Sequence, residues 1–363
     1  MPNIKYYFNP MKYFVLFSFL LFSKLIFTQP SDYYDLAKNK KGEDLKNALH
    51  EIIKGHVQFP YTSSSTDVWD ILKLTDRDIN DTTLVELIYS GGLVDAAQEY
   101  NSGNGWTREH VWAKSRGDFG TSPGPGTDVH ALRPCHTGIN STRNNRAFDN
   151  CSSCKNVEYL GANTGSFTDN NLWIFEPRDE MKGDVARMLF YMATRYEQED
   201  GVDLELDDVI RDNTDKSPYH AVLSTLLIWN ESDTVSEKEK RRNNIIYDKF
   251  QKNRNPFIDH PELANYIFGG LQNEKWMEFV SIDEKSKNSS NCIEIVKKQN
   301  SNYSIKNISQ SNQEIILTDI KGSLIQQNSI ERLGSIDIYL KPNTVYFIKS
   351  RSCSFTYKLF NPS

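Results

Sequence analysis

From Cys292 to its end the chain is written in short runs that alternate apolar and polar residues: "CIEIV", "YSIKNIS", "EIILTDIKG", "SLIQQ", "IDIYL", "TVYFIKS" and "SFTYKLF". Side chains on a strand point alternately to two faces, so such runs bury one face only by stacking sheet on sheet. With Asn, Ser and Gly turns between them, they predict a small antiparallel β-sandwich over 284–363. Upstream of Val280 the period changes to mixed helical and strand segments, and the polar stretch "SIDEKSKNSSN" reads as a linker. A chain of 363 residues has room for one large and one small domain. The fold class expected is α+β over 29–283, followed by the sandwich. No acid/base group clusters in the sandwich, so chemistry belongs to the large domain.

The N-terminal stretch "MKYFVLFSFLLFSKLIFTQP" places an apolar run, Phe14 to Phe22, between Lys12 and Lys24. A membrane-spanning helix needs roughly 20 apolar residues, and this run has about half that. It reads as a secretory signal peptide over 1–28, with Met11 as a candidate start and the mature chain beginning near Gln29. Five cysteines leave one over if the rest pair. Cys292 with Cys353 is one candidate bridge, and another lies among Cys135, Cys151 and Cys154. The rival reading of that trio is a structural zinc site completed by His136; export favours the disulfide.

The formal charge of −6 excludes a globally basic nucleic-acid coat but not a local patch. From Tyr33 to about Gly55 the apolar residues Leu45, Ala48, Leu49, Ile52 and Ile53 recur at helical spacing, with His50 and His56 read as surface or capping residues. Leu84 to Tyr89 reads as a buried strand ending in the Gly91-Gly92 turn. Gly103 to Gly126 is rich in Gly, Pro and Ser, a long irregular stretch of the kind that carries function. "EMKGDVARMLFYMATRYEQ" predicts an amphipathic helix whose Met and aromatic residues face the core. Seven cations between Lys238 and Arg254 form the one markedly basic segment, either a solvated helix face or a phosphate-facing surface.

Three stretches concentrate reactive side chains: Arg108-Glu109-His110, Asp128-x-His130 and "INSTRNNRAF" from Ile139 to Phe148. Hydrolysis of a phosphate diester needs a base for water, counter-charge for the pentavalent centre, and stabilisation of the leaving alkoxide. Imidazole, with a pKa of about 6.5, takes a proton near neutral pH. A hard ion such as Mg²⁺ takes carboxylate and amide oxygens and keeps several waters, so one Glu and one Asn suffice as protein ligands. Arg presents a fork that matches phosphate. Each residue also has a plainer reading. Glu109 can pair with Arg108 or Lys114, His130 can be a packed core histidine, and Asn140 can cap the following segment.

"WTREHVWAKSRG", "TDVHALRP" and "INSTRNNRAF", with "FEPRDEMKGDVARMLFYMATRY" and "NRNPFIDHPELANYIFG", resemble the endonuclease I family of secreted or periplasmic nucleases, in the His-Me finger (ββα-metal) group. The likeness runs from about Tyr33 to Phe268. It implies a β-hairpin presenting the histidine and a following helix presenting a metal-binding Asn. His110 then resembles the general base, and Glu109 and Asn140 resemble the ligands of one Mg²⁺, other divalent ions being alternatives. Arg143, one helical turn beyond Asn140, is placed to touch phosphate or support the site. Asp128 and His130 stand behind it, and Arg108, Lys114, Arg116, Arg133 and Arg146 are candidates for nucleic-acid backbone contacts.

The tail, "EIILTDIKGSLIQQ" then "IDIYLKPNTVYFIKS", is similar to the sorting domain of type IX secretion cargo. Pro342-Asn343-Thr344 stands where that pattern usually has Gly, and the early Asn-Pro is missing. The resemblance implies a secretion-machinery partner and release or surface retention. The whole predicts a secreted, Mg²⁺-dependent, sequence-nonspecific endonuclease acting on DNA, RNA or both, with no stable membrane span. Two other readings are a non-catalytic surface binding protein on a nuclease fold, and a metal-dependent phosphoesterase of small substrates.

Overall fold

The computed structural model describes residues 30, 32–199, 201–277, 293–297, 302–319, 323–341, 344–350 and 356–361. The expected signal peptide, the linker after Val280, its boundary at 283, Cys292 and Cys353 lie outside the described residues. No helix among the described residues is long and apolar enough to cross a membrane. The chain divides into two compact units, one built on residues up to 33 with 50–264, the other on 34–49 with those from 265 onward.

Residues 34–41 join the second unit through their backbone. Asn39 donates its N–H to the carbonyl of Trp276, and Trp276 donates to that of Lys40, both at 2.8 Å. These bonds break the helix expected from Tyr33, so α1 spans only Gly42–Ile53, burying Leu45, Leu49 and Ile53.

In the larger unit α2 (Val68–Thr75) is fixed by a capping box, in which the Asp67 carboxylate accepts from Trp69 N and Asp70 N. The segment expected as one strand forms β1 (Leu84–Glu86), which pairs antiparallel with β2 (Leu93–Asp95). Leu87 to Tyr89 leave the ladder because Ile88 donates instead to the carbonyl of Pro134, at 2.9 Å. Then come β3 (Trp106–His110), β4 (Leu132–His136) and α3 (Thr137–Arg143). Val68, Trp69, Ile71 and Leu72 of α2 pack with Val85, Trp106, Leu132 and, from a later helix, Ile246. Each such buried side chain contributes about 1.5–3 kcal/mol, so the β3/β4 pair sits on a firm floor.

A four-stranded sheet follows, formed by β5 (Ala147–Phe148), β6 (Lys155–Tyr159), β7 (Ala162–Asp169) and β8 (Ile174–Glu176) in the order β5-β8-β7-β6. Helix α4 (Lys182–Arg195) is buried along every residue from Gly183 onward. The amphipathic reading therefore fails on its polar side, because those polar groups find partners inside. Arg187 forms a two-pronged pair with Glu239 at 2.6 and 2.9 Å, and Asp184 meets Arg133 at 3.1 Å. Two short parallel strands, β9 (Glu205–Asp207) and β10 (Tyr219–Val222), precede α5 (Leu223–Ser232) and α6 (Glu237–Lys249).

The basic segment on and after α6 is not a wholly solvated face. Arg242 is buried against Asp76 and the carbonyls of Val129 and Leu132, and Arg254 pairs with Asp259. Lys238 pairs with Glu86, and Arg241 donates to the carbonyl of Arg77. Four of its seven cations, Lys238, Arg241, Arg242 and Arg254, are tied into the fold, while Lys240, Lys249 and Lys252 are exposed.

The tail strands appear where the alternation placed them. A three-stranded antiparallel sheet, β11 (Ile293–Lys297), β12 (Asn302–Asn307) and β15 (Ser335–Tyr339), accompanies a four-stranded one. The latter runs β14 (Leu324–Ile330), β13 (Gln313–Asp319), β16 (Thr344–Ser350), β17 (Thr356–Asn361). Ile293, Tyr303, Ile305 and Ile338 from one sheet meet Ile315, Leu317, Ile330 and Ile348 from the other in a single core.

Candidate active site

β3 and β4 pair antiparallel with Glu109 opposite Arg133 and His110 opposite Leu132. The alternation of a strand sends the two neighbours to opposite sides: Glu109 is buried at 1% exposure and His110 is half-buried. Helix α3 starts directly after β4. Its N-cap is His136, whose ring nitrogen accepts from Gly138 N at 3.2 Å, so the cap is not Asn140. Asn140 lies one turn in and reaches back to β3, its Nδ2 donating to the carbonyl of Arg108 at 3.4 Å. That leaves the amide oxygen as the atom available to a cation. Strand, strand and helix thus bring Glu109, His110 and Asn140 to one locality.

The His110 ring is held from two directions. Its Nε2 lies 2.9 Å from the carbonyl of Gly126, which can only accept, so Nε2 carries the proton and Nδ1 keeps its lone pair. The Tyr61 ring stacks on it, centroids 5.6 Å apart and planes 22° from parallel. Burial, reinforced by the cations Lys114, Arg108 and Arg143, lowers its pKa to about 4 against the opposing bond to Gly126. The imidazole is therefore neutral at neutral pH, the form a general base requires. The Glu109 carboxylate accepts from the Tyr89 hydroxyl at 2.7 Å and faces Arg143 at 3.3 Å. Burial pushes its pKa up, while Arg143 and Tyr89 pull it down.

The arginines lie mostly inside the fold, and Arg143 takes the supporting one of its two expected places. Arg143 is fully buried: it donates to the carbonyls of His110 at 2.9 Å, Asn144 and Val111, and lies 2.7 Å from His220 Nε2. It braces the back of the site and does not face a phosphate. Arg133, buried, pairs with Asp76 at 2.6 Å and with Asp184. Arg116, also buried, donates to the carbonyls of Asn145, Asp215 and Arg211. Arg108 is sandwiched over the rings of Tyr61 and Trp69, at 3.4 and 4.0 Å. Arg146 lies over Trp173 at 3.9 Å and donates to Asn170. Of the five backbone-contact candidates only Lys114 is exposed.

Asp128 and His130 are also buried, and their bonds run into the core. Asp128 accepts from the hydroxyls of Tyr191 and Tyr196 at 2.8 and 2.9 Å and from Gln251 at 3.0 Å. Burial would raise its carboxyl, yet His56, His130, Gln251 and Tyr191 hold it at about 2. His130 Nε2 lies 3.2 Å from the carbonyl of Asn253, and burial lowers its pKa to about 4 against the pull of Asp128. His56 belongs to the same cluster, buried and 3.8 Å from Asp128, which corrects the surface reading of it. His50 is partly buried, bonded to the carbonyl of Thr194.

Cys151 and Cys154 form a disulfide, and Cys135 is a buried free thiol. Two ligands of the alternative zinc set are thereby used up. Among the described residues one group of three carboxylates, Glu197, Asp203 and Glu205, comes close enough to share a cation. Sequence reasoning missed Tyr61, Tyr89, His220 and the Gly126 carbonyl. None of them lies in the reactive motifs, and a backbone carbonyl carries no residue-type signal at all.

The strand pair and helix carry a buried carboxylate, a neutral imidazole and an amide on one β-β-α unit. The Endonuclease I family model matches residues 41–262, more than half of the chain. The chain belongs to this family of metal-dependent nucleases, and it is a nuclease. It is 50% identical to the extracellular ribonuclease of Bacillus subtilis (strain 168) over 239 residues, 65% of this chain and 78% of that protein. The extracellular ribonuclease of Bacillus amyloliquefaciens is also 50% identical, over 250 residues, 68% of this chain and 82% of that protein. Endonuclease-1 of Buchnera aphidicola subsp. Baizongia pistaciae (strain Bp) shares 29% over 138 residues, 36% of this chain and 46% of that protein.

Proposed function

We propose that the chain is a secreted, Mg²⁺-dependent endonuclease of His-Me finger type that cleaves phosphodiester bonds without reading sequence. The observation that carries this is the convergence of Glu109, His110 and Asn140 on the β3-β4-α3 unit, with the His110 tautomer set by Gly126. The donor set fits a hard divalent cation: a buried carboxylate, Glu109, and an amide oxygen, Asn140, with room in such a shell for water. When bound, the ion would polarise the phosphate and offset the charge developing on the leaving oxygen.

The protein's own residues do the rest. His110 Nδ1 takes the proton of the attacking water, because its other nitrogen is committed to Gly126. Tyr61 stacks on the ring and limits its rotation. Arg143 fixes the backbone of His110 and Val111, so the base and the carboxylate keep their separation. Lys114, exposed beside the site, meets the phosphate backbone. Contacts to the phosphate backbone carry no sequence information, which fits cleavage without sequence preference.

RNA is the expected substrate on the strength of the two Bacillus relatives, both named extracellular ribonucleases, and DNA is the comparison. Their names, with the apolar N-terminal run, also support export, and the tail's resemblance to type IX sorting domains supports that route. The test follows degradation of RNA and nicking of supercoiled plasmid by the full mature chain, with Mg²⁺ and with chelator. Loss of activity on chelation that Mg²⁺ restores is the expected result. Activity indifferent to chelator would remove the metal from the proposal, and plasmid cleaved faster than RNA would reverse the substrate order. Full-length protein retained in the periplasm would count against the type IX route.

A further inference from the structure

We infer that Tyr89 is a positioning residue for the metal site: with Arg143 it holds one oxygen of Glu109 and so reserves the other for the cation. The inference rests on Glu109 being a ligand. A hydrogen bond and an ion pair converge on a single atom, Glu109 Oε1: the Tyr89 hydroxyl donates to it at 2.7 Å and Arg143 Nη1 faces it at 3.3 Å. A carboxylate held in this way cannot swing, and Oε2 is the oxygen left for the ion. Carboxylate ligands are commonly oriented by such outer partners, whose loss costs 10- to 100-fold in metal affinity.

The rest of the structure anchors Tyr89 for this task. It is fully buried, its ring lies 4.8 Å from that of Phe175, and its carbonyl accepts from Ser166 Oγ at 2.8 Å. Its ring and backbone are therefore tied to the β5-β8-β7-β6 sheet, while its hydroxyl serves β3. Arg143 is tied in turn by the carbonyls of His110 and Val111 and by His220. Glu109 is gripped from the sheet on one side and from α3 on the other.

The test is Mg²⁺ titration by calorimetry of the full mature chain, as wild type, Tyr89→Phe and Glu109→Gln, with the melting temperature of each metal-free protein. Tyr89→Phe removes the hydroxyl and keeps the ring. The expected result is a Kd for Mg²⁺ raised about 10-fold or more, with a metal-free melting temperature close to wild type. A Kd within twofold of wild type, with a lowered melting temperature, would make Tyr89 a packing residue and overturn the inference. If Glu109→Gln binds Mg²⁺ as wild type does, the ligand reading itself fails, whatever Tyr89→Phe shows. Should Tyr89→Phe fail to fold, Ser166→Ala loosens the Tyr89 backbone instead; a weaker Kd supports the inference and an unchanged one overturns it.

Discussion

Two neighbouring acid–imidazole pairs, Glu109 with His110 and Asp128 with His130, look alike on paper and have opposite fates in the fold. His110 is half-buried, one nitrogen is bonded to Gly126, and the other is left with its lone pair. Asp128, by contrast, is surrounded by two tyrosine hydroxyls, Gln251 and two histidines, with no exposure to solvent. The difference lies in where the partners come from. Glu109 and His110 sit on an ordered strand beside a helix start, whereas α4 and the 251–253 turn close over Asp128. A histidine next to a carboxylate thus keeps one ring nitrogen open or is closed into the core according to what the rest of the chain brings to it.

Replacing the histidines breaks the comparison most sharply. His110→Ala is expected to lower kcat by about 10²–10⁴-fold, since general-base catalysis contributes that much. Its melting temperature should stay near wild type; retention of full activity on RNA would remove His110 from the mechanism. The next effect in size is on stability. Asp128→Asn leaves two buried tyrosine hydroxyls without a charged acceptor and is expected to cost about 1.5–3 kcal/mol in urea unfolding, with kcat per folded molecule preserved. A kcat lost in step with stability would show that the two pairs are one site.

pH reads the Asp128–His130 clamp in a window it shares with His110, whose ring is also held at about 4. Folded His130 titrates at about 4 and an unfolded histidine at about 6.5, so between those values the unfolded chain binds more protons and stability falls as pH falls. Asp128, held at about 2 against about 3.9 unfolded, extends the loss to lower pH. Each contributes up to about 1.4 kcal/mol per pH unit within its window. Unfolding of metal-free protein followed from pH 7 to pH 3 should show this decline, and His130→Gln should reduce the slope of its upper part, leaving the share carried by His110. A flat wild-type profile between pH 6.5 and 4 would refute it. Smallest of all is Lys114→Ala, expected to reduce the slope of log affinity for RNA against log salt by about 1, with little change in kcat. An unchanged slope would free Lys114 from any phosphate contact.

The fold was legible wherever a period was simple. The strands from Ile293 to Asn361 lie where alternation put them, because each uses one face for a shared core. Family membership was legible from the ordered motifs, which depend on residue identity alone. The destinations of the arginines were not. Arg116 ends on main-chain carbonyls and Arg133 on carboxylates from distant segments, and nothing near them in sequence announces such partners. Helix α4 misled for the same reason, since Arg187 and Asp184 are polar in the sequence but paired in the core. Tyr89, twenty residues before Glu109, carried no chemical signal until the turn after β1 brought its hydroxyl to the carboxylate.

Helix α3 holds strand β3 by its main chain: Asn140 takes the carbonyl of Arg108, and Arg143 takes those of His110 and Val111. Carbonyls are the same whatever the side chain, so the mounting is independent of the reactive group it carries. Residue 110 is an interchangeable tool on a fixed holder. A different side chain introduced there would inherit the backbone position of His110, while the bond to Gly126 and the stacking on Tyr61 belong to the imidazole alone.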